Sequence, residues 1–332
     1  MVIKQKLHCN VQRNDFKSYS GLKMNSDLHV LAQEAIDEMQ NVNDMLRWGV
    51  SQFNNSDIYF GHGTDNPWDE CLALICFVLN LSPSINDNVL NARVTKSERQ
   101  QIVELICARI ETKKPAAYLT NQAYFVDLPF YVNEDVLVPR SPIGELIRNK
   151  FEGLVKSTPH KIMDLCTGSG CIAVACAYAF MNSEVDALDI SPEALEIAEE
   201  NIHRLGVADR VIPILSDVFS NVQGQTYDLI VSNPPYVDAE DIADMPEEFH
   251  HEPEIGLGSG SDGLDITRII LKEAANHLND NGLLIVEVGN SMVHLQAEFP
   301  QVPFNWIEFE HGGLGVFSIT KEQLVEHQDV FN

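Results

Sequence analysis

Residues 161–170 read KIMDLCTGSG, an apolar run that ends on a turn built from threonine, serine and two glycines. The mostly apolar run Lys161–Cys166, interrupted only by Lys161 and Asp164, predicts a buried strand. Small apolar residues follow from Cys171 to Met181 and predict a helix packed close to that strand. The pattern then repeats. Val185–Ile190 (VDALDI) predicts a second strand, and Ser191-Pro192-Glu193 caps a helix running to Leu205. Further strands are expected at Val211–Leu215, Tyr227–Ser232 and Leu283–Val288, with a helix from about Asp265 to Leu278 before the last of these. Strand–helix alternation of this kind predicts an α/β fold with a doubly wound parallel sheet. Phe304–Phe309 and Val316–Thr320 are joined through His311-Gly312-Gly313 with no helix between them. They must therefore pair antiparallel, as a terminal hairpin, which a dinucleotide-binding domain lacks.

Upstream of Pro159 the pattern is helical. Apolar positions from Asp27 to Phe53 recur at helical spacing, and Asn66-Pro67-Trp68-Asp69-Glu70 reads as a cap with proline at the first helical position. Thr95-x-x-Glu98 is a capping box for a helix to about Lys113. Ala123–Val132 (AYFVDLPFYV) predicts a β-hairpin. Three segments follow: 1–23, a disordered tail or upstream start; 24–135, a helical domain with the hairpin; and 136–332, the α/β domain.

The 332 residues carry 22 Lys+Arg and 49 Asp+Glu, a formal charge of −27. Residues 1–150 hold 15 basic and 18 acidic side chains, and residues 151–332 hold 7 and 31, so the negative charge is concentrated in the α/β half. Such a surface repels phosphate backbones, whose binding depends on Lys and Arg contacts, and suits a basic partner. The seven cysteines include no C-x-x-C pair and lie mostly in apolar runs, as expected of reduced core thiols. No apolar run has the length of a membrane span, and the N-terminus lacks a signal-peptide core, so a cytoplasmic protein is expected.

The turn Asp164-Leu165-Cys166-Thr167-Gly168-Ser169-Gly170 leaves helix N-terminal N–H groups free for an anionic group, a carboxylate as readily as a phosphate. Asp189 lies nineteen residues beyond Gly170 at the end of the second strand, where a carboxylate can accept both ribose hydroxyls. Asp217, in Ser216-Asp217-Val218-Phe219, ends the third strand and is placed to flank an adenine. Gly168-x-Gly170-x-x-Ala173 also fits a dinucleotide fingerprint, so the turn alone implies a nucleotide cofactor without identifying it. A second G-x-G-x-x-G, Gly258 to Gly263, follows an acidic loop instead of a strand and reads as structural.

Ser232-Asn233-Pro234-Pro235-Tyr236 follows the fourth strand. Two prolines remove two backbone donors and leave carbonyls free to accept. Asn233 adds an acceptor, and Tyr236 a flat face. The array fits a planar –NH₂ that donates two hydrogen bonds. Holding both N–H bonds, at Asn233 and the Pro234 carbonyl, would aim an otherwise poor nucleophile along its remaining axis, where an electrophile such as the sulfonium methyl of S-adenosyl-L-methionine would sit in line.

D-x-C-T-G-S-G, the acidic strand ends and N-P-P-Y together resemble the class I S-adenosylmethionine-dependent amino methyltransferases, which are seven-stranded and end in an antiparallel hairpin. More narrowly the chain is similar to the protein-glutamine methyltransferases. Tyr59-Gly-His-Gly-Thr-Asp-Asn-Pro-Trp-Asp-Glu70, Val138-Pro-Arg-Ser-Pro-Ile-Gly144 and Asn233–Asp241 (NPPYVDAED) resemble the branch that acts on large-subunit ribosomal protein L-three. The resemblance runs from about Met24 to the C-terminus. It implies that Cys166 to Gly170 and Asp189 hold the cofactor with Val218 beside the adenine, and that Asn233, Pro234, Pro235 and Tyr236 hold a glutamine. Asp164, Asp217 and Asn233 complete the expected cofactor set, with Asn233, Pro234 and Tyr236 as the catalytic residues. Cys166 stands where the wider family commonly has glycine. Ser141-Pro142-Ile143-Gly144 replaces the Pro-x-Thr-Glu that release-factor enzymes tend to carry, which weighs against a release factor as substrate.

The alternatives are a release-factor glutamine methyltransferase, a DNA adenine amino-methyltransferase and a ribosome assembly factor that binds without methylating. DNA methyltransferases share N-P-P-Y but need a basic groove, and residues 238–254 carry eight acids and no Lys or Arg. A pure binder has no need of N-P-P-Y. Adjacent His250 and His251 have no third ligand at a useful spacing, so no metal is expected.

Overall fold

The computed structural model describes residues 26–82 and 84–332; the tail expected at 1–23, with Cys9, lies outside them. The chain forms two compact units. Ala123–Met245 and Glu252–Asn332 make the larger one, and the described residues up to Gln122 join Pro246–His251 in the smaller. Two sequence-based boundaries change. The hairpin β1 (Ala123–Phe125) and β2 (Leu128–Phe130) groups with the α/β unit, so the division falls at residue 122 instead of 135. Six residues from the acidic stretch after N-P-P-Y group with the helices.

In the helical unit, the apolar pattern over 27–53 is split into helices Ser26–Glu38 and Val42–Asn54. The break is a capping box, with the Asn41 side chain accepting from Asp44 N and the Asp44 side chain accepting from the Asn41 backbone N–H. A chain that caps itself this way satisfies the new helix's first donors and need not continue the old one. Asn66 with Pro67, and Thr95 with Glu98, cap Pro67–Val78 and Lys96–Thr112. These helices bury Leu46, Phe53, Leu74, Ile102 and Ile106 in one core. Gly49 permits the close approach, since a Cβ there would lie 2.4 Å from Cys71 Sγ.

The larger unit is built on a seven-stranded sheet. Its strands are β3 (Lys161–Leu165), β4 (Glu184–Asp189), β5 (Val211–Leu215), β6 (Tyr227–Ser232), β7 (Leu278–Glu287), β8 (Asn305–Trp306) and β9 (Val316–Thr320). They lie in the order β5-β4-β3-β6-β7-β9-β8, with β3 to β7 parallel and β9 antiparallel to both β7 and β8. Met163, Leu165, Leu188, Ile230, Leu284 and Phe317 are buried in one core. This is the largely parallel α/β sheet with an antiparallel terminal pair that the strand–helix alternation and the helix-free ending predicted. Two strands differ from expectation. β7 begins at Leu278, because Leu278 pairs with Tyr227 and a register shift absorbs the turn-like residues that follow it. β8 is only two residues long, and the Ile307 N–H donates to the Val316 carbonyl just beyond it.

Candidate active site

Strand register places the sequence-predicted residues along one rim. Leu165 is level with Leu188 on β4 and Ser232 on β6, and Asp189 is level with Leu215 on β5. The glycine turn, Asp189, Asp217 and Asn233 thus leave neighbouring strands at their carboxyl ends, where an open α/β sheet offers a crevice.

The turn is held from three sides. Asp164 Oδ2 accepts from Thr167 Oγ1 at 2.5 Å and Ala173 N at 3.0 Å, tying the loop to the helix Cys171–Ala179. Asp189 Oδ2 accepts from Gly168 N at 2.8 Å, and its Oδ1 accepts from Ser191 N at 2.9 Å. Gly170 has φ +78°, and a Cβ there would come within 3.3 Å of the Ala198 backbone on helix Pro192–Arg204. A Cβ on Gly168 would meet nothing within 4 Å, so that side of the loop is open. Cys166 has φ +63°, the left-handed conformation that glycine adopts without cost. A glycine at this position would hold the same conformation without that cost. Val218 also has positive φ (+46°), and Asp217 beside it is exposed.

Burial dominates the electrostatics. It raises the Asp164 carboxyl to about 7, although Thr167 and Ala173 pull the other way, and it also raises Asp189 against the backbone donors of Ser191 and Gly168. Asp164 Oδ1 is buried and has no hydrogen-bond partner.

On the neighbouring strand, Ser232 Oγ donates to the Leu165 carbonyl at 2.7 Å, fixing the strand exit. The next side chain, Asn233, has a buried Oδ1 with no hydrogen-bond partner. Such an acceptor costs a few kcal/mol unless something donates to it, so it marks a place for a ligand donor. Tyr236 is clamped. Its OH donates to Glu287 Oε1 at 2.9 Å and its carbonyl accepts from Ser291 Oγ at 2.7 Å. A Cβ on Gly289 would lie 2.5 Å from its ring, and one on Gly263 2.1 Å from its carbonyl oxygen. Gly263 closes the second G-x-G-x-x-G, whose Gly258 bridges Val237, so that motif packs against the N-P-P-Y exit.

Three features escaped the sequence reading. Asn201, fully buried on helix Pro192–Arg204, donates through Nδ2 to the carbonyls of Ser169 and Tyr131 and accepts from Tyr131 N. It looks like any polar helix residue in sequence. Glu252, 5% exposed, receives both guanidinium arms of Arg140 at 2.5 and 2.7 Å and the Val138 N–H. In the helical unit, Arg109 (1% exposed) donates to Glu70, to Glu248 and to the Tyr59 carbonyl. Glu248 and Glu252 belong to the eight acids of residues 238–254, yet both are buried and paired. The signal available was the positioning of Arg140 and Glu70 inside the two quoted motifs.

His250 is exposed, and His251 Nε2 lies 3.0 Å from the Thr112 carbonyl. Among the described residues no three His, Cys, Asp or Glu side chains form a metal-binding group, and no helix is long and apolar enough to cross a membrane.

The family model for the methyltransferase small domain matches residues 150–302. A curated ribosomal protein uL3 glutamine methyltransferase from Neisseria meningitidis is 44% identical over 300 residues, covering 90% of this chain and 99% of its own. Its counterpart from Francisella tularensis is 41% identical over 301 residues, covering 90% and 96%. Among solved structures, a methyltransferase from Pyrococcus furiosus matches with a TM-score of 0.42 at 21% identity, covering 58% of this chain and 88% of that one. Similarity to the two curated enzymes at this level and across nearly their whole length makes the chain a member of the ribosomal protein uL3 glutamine methyltransferase family.

Proposed function

We propose that the chain transfers the methyl group of S-adenosyl-L-methionine to the side-chain amide nitrogen of a glutamine in ribosomal protein uL3. The observation that carries the reading is the buried, unpartnered Oδ1 of Asn233 at the rim of β6. It is a single acceptor awaiting a donor, as an amide N–H requires. The Pro234 carbonyl supplies the second acceptor. With both N–H bonds held, the nitrogen lone pair has one direction left, and orientation replaces nucleophilic strength.

The residues at the rim also fit the cofactor. The open side of Gly168, the turn N–H groups and the unpartnered Asp164 Oδ1 suit a zwitterionic amino-acid end, and Asp189 keeps lone pairs for ribose hydroxyls. Asp217 and Val218 would flank the adenine. When bound, the cofactor supplies an electrophilic methyl on a positively charged sulfur. Tyr236 serves as a platform and not as a base. Burial and the Glu287 carboxylate push its phenol well above the usual tyrosine range, so it stays protonated and donates to Glu287. The amide proton leaves to solvent after the N–C bond has formed.

The helical unit is assigned the recognition of the protein substrate. The exposed acids Glu240, Asp241, Asp244 and Glu254 after the motif suit a basic ribosomal protein and oppose DNA. A substrate made in the cytoplasm places the enzyme there. Asn233→Ala should abolish methyl transfer to purified uL3, measured with a radiolabelled methyl group, and leave cofactor affinity within about threefold. Turnover equal to wild type would overturn the mechanism, and a preference for release factor or DNA over uL3 would overturn the substrate.

A further inference from the structure

The proposed transfer involves no residue of the segment Val138-Pro-Arg-Ser-Pro142 directly. In the structure its Ser141 hydroxyl donates to Glu287 Oε2 at 2.5 Å, while Tyr236 OH donates to the other oxygen of the same carboxylate at 2.9 Å. We propose that Glu287, held by Ser141, is a positioning residue that fixes the Tyr236 ring as the platform for the acceptor amide.

Three observations carry this. Glu287 ends β7, the strand beside β6, and is 5% exposed, so it is a carboxylate brought into the sheet's interior. Isolated there it would be costly; it is tolerated because each oxygen receives a hydroxyl and Arg140 lies near enough to favour its charge. With Ser141 and Tyr236 both donating, Glu287 is the acceptor at both ends, which sets the direction of the whole chain of hydrogen bonds. The Tyr236 ring has little other freedom, since Gly289 lies against it and the Gly263 backbone lies against its carbonyl. The hydroxyl tether removes the remaining tilt, and a planar amide facing that ring inherits its orientation. The segment is doubly anchored, because Val138 N and Arg140 bind Glu252 on the far side of the acidic loop. Replacing Ser141 or Glu287 thus alters the platform without touching the glycine turn or Asp189.

The proposal rests on the acceptor-amide reading of Asn233–Tyr236. The test is a double-mutant cycle: Glu287→Gln and Ser141→Ala, each in the wild-type and Tyr236→Phe backgrounds, with purified uL3 as acceptor and S-adenosylhomocysteine as the cofactor-binding probe. In the wild-type background Glu287→Gln should lower kcat about tenfold and Ser141→Ala about threefold, with the S-adenosylhomocysteine Kd unchanged. In the Tyr236→Phe background, which has no hydroxyl to tether, both effects should fall below about twofold. Equal losses in the two backgrounds would overturn the proposal. If wild-type enzyme does not methylate uL3, the functional reading fails by itself; the tether is then read from the ζ-carbon NMR resonance of ¹³C-labelled Tyr236. That resonance should move in Ser141→Ala, whose lost hydroxyl bonds Glu287 and not Tyr236. A resonance unmoved in both variants would overturn the tether.

Discussion

At the residue scale, Cys166 and Asn233 show two ways in which one position departs from what local chemistry favours. Cys166 holds a left-handed backbone at φ +63°, where a side chain costs about 1–2 kcal/mol. The strain is fixed from outside, by Asp164 and Asp189, which accept from Thr167 and Gly168, the two residues that follow it. A comparison of Cys166→Gly with Cys166→Ala isolates it, since both lose the thiol and only alanine keeps the strained Cβ. The glycine variant should be the more stable by about 1 kcal/mol in urea denaturation. Equal stabilities would mean that the turn relaxes. Asn233 departs differently, as an acceptor buried without a donor. Its identity was legible in N-P-P-Y; its missing partner was not, because burial of a single oxygen depends on what the rest of the chain packs around it.

At the scale of elements, the site is a product of register. The glycine turn and N-P-P-Y are separated by more than sixty residues, and they meet because β3 and β6 are neighbours with Leu165 opposite Ser232. A slip of one residue would move every side chain of the strand to the other face. Helix Pro192–Arg204 then presses on the turn through Ala198 and braces it through Asn201. Asn201→Leu fills similar volume but leaves the Ser169 and Tyr131 carbonyls and the Tyr131 N–H without their partner. It should cost about 2–4 kcal/mol in chemical denaturation and weaken cofactor binding several-fold in calorimetry. A destabilised variant with unaltered cofactor affinity would confine Asn201 to the hairpin.

At the scale of the whole molecule, charge has a division of labour that its total conceals. Of the eight acids in residues 238–254, Glu248 pairs with the buried Arg109, Glu252 with Arg140 and the exposed Glu247 with Lys113, while Glu240, Asp241, Asp244 and Glu254 are exposed outside those pairs. These last four are the ones available for steering a basic substrate. Changing them together to Gln or Asn should raise the KM for uL3 several-fold in low salt and leave it nearly unchanged at about 0.5 M salt, where such fields are screened. A KM insensitive to the substitutions at low salt would reduce them to a solvated surface. The amino-acid order alone determined the α/β sheet, the glycine turn, the N-P-P-Y array and the capped helices, because strand and helix periodicity, caps and turns are local interactions. Only tertiary structure decided that the hairpin belongs with the sheet, that six residues of the acidic stretch belong with the helices, and that Ser141 and Tyr236 share one carboxylate. Those outcomes turn on which groups lose water together, and residues as distant as 141, 236 and 287 do so only once the chain has closed around them.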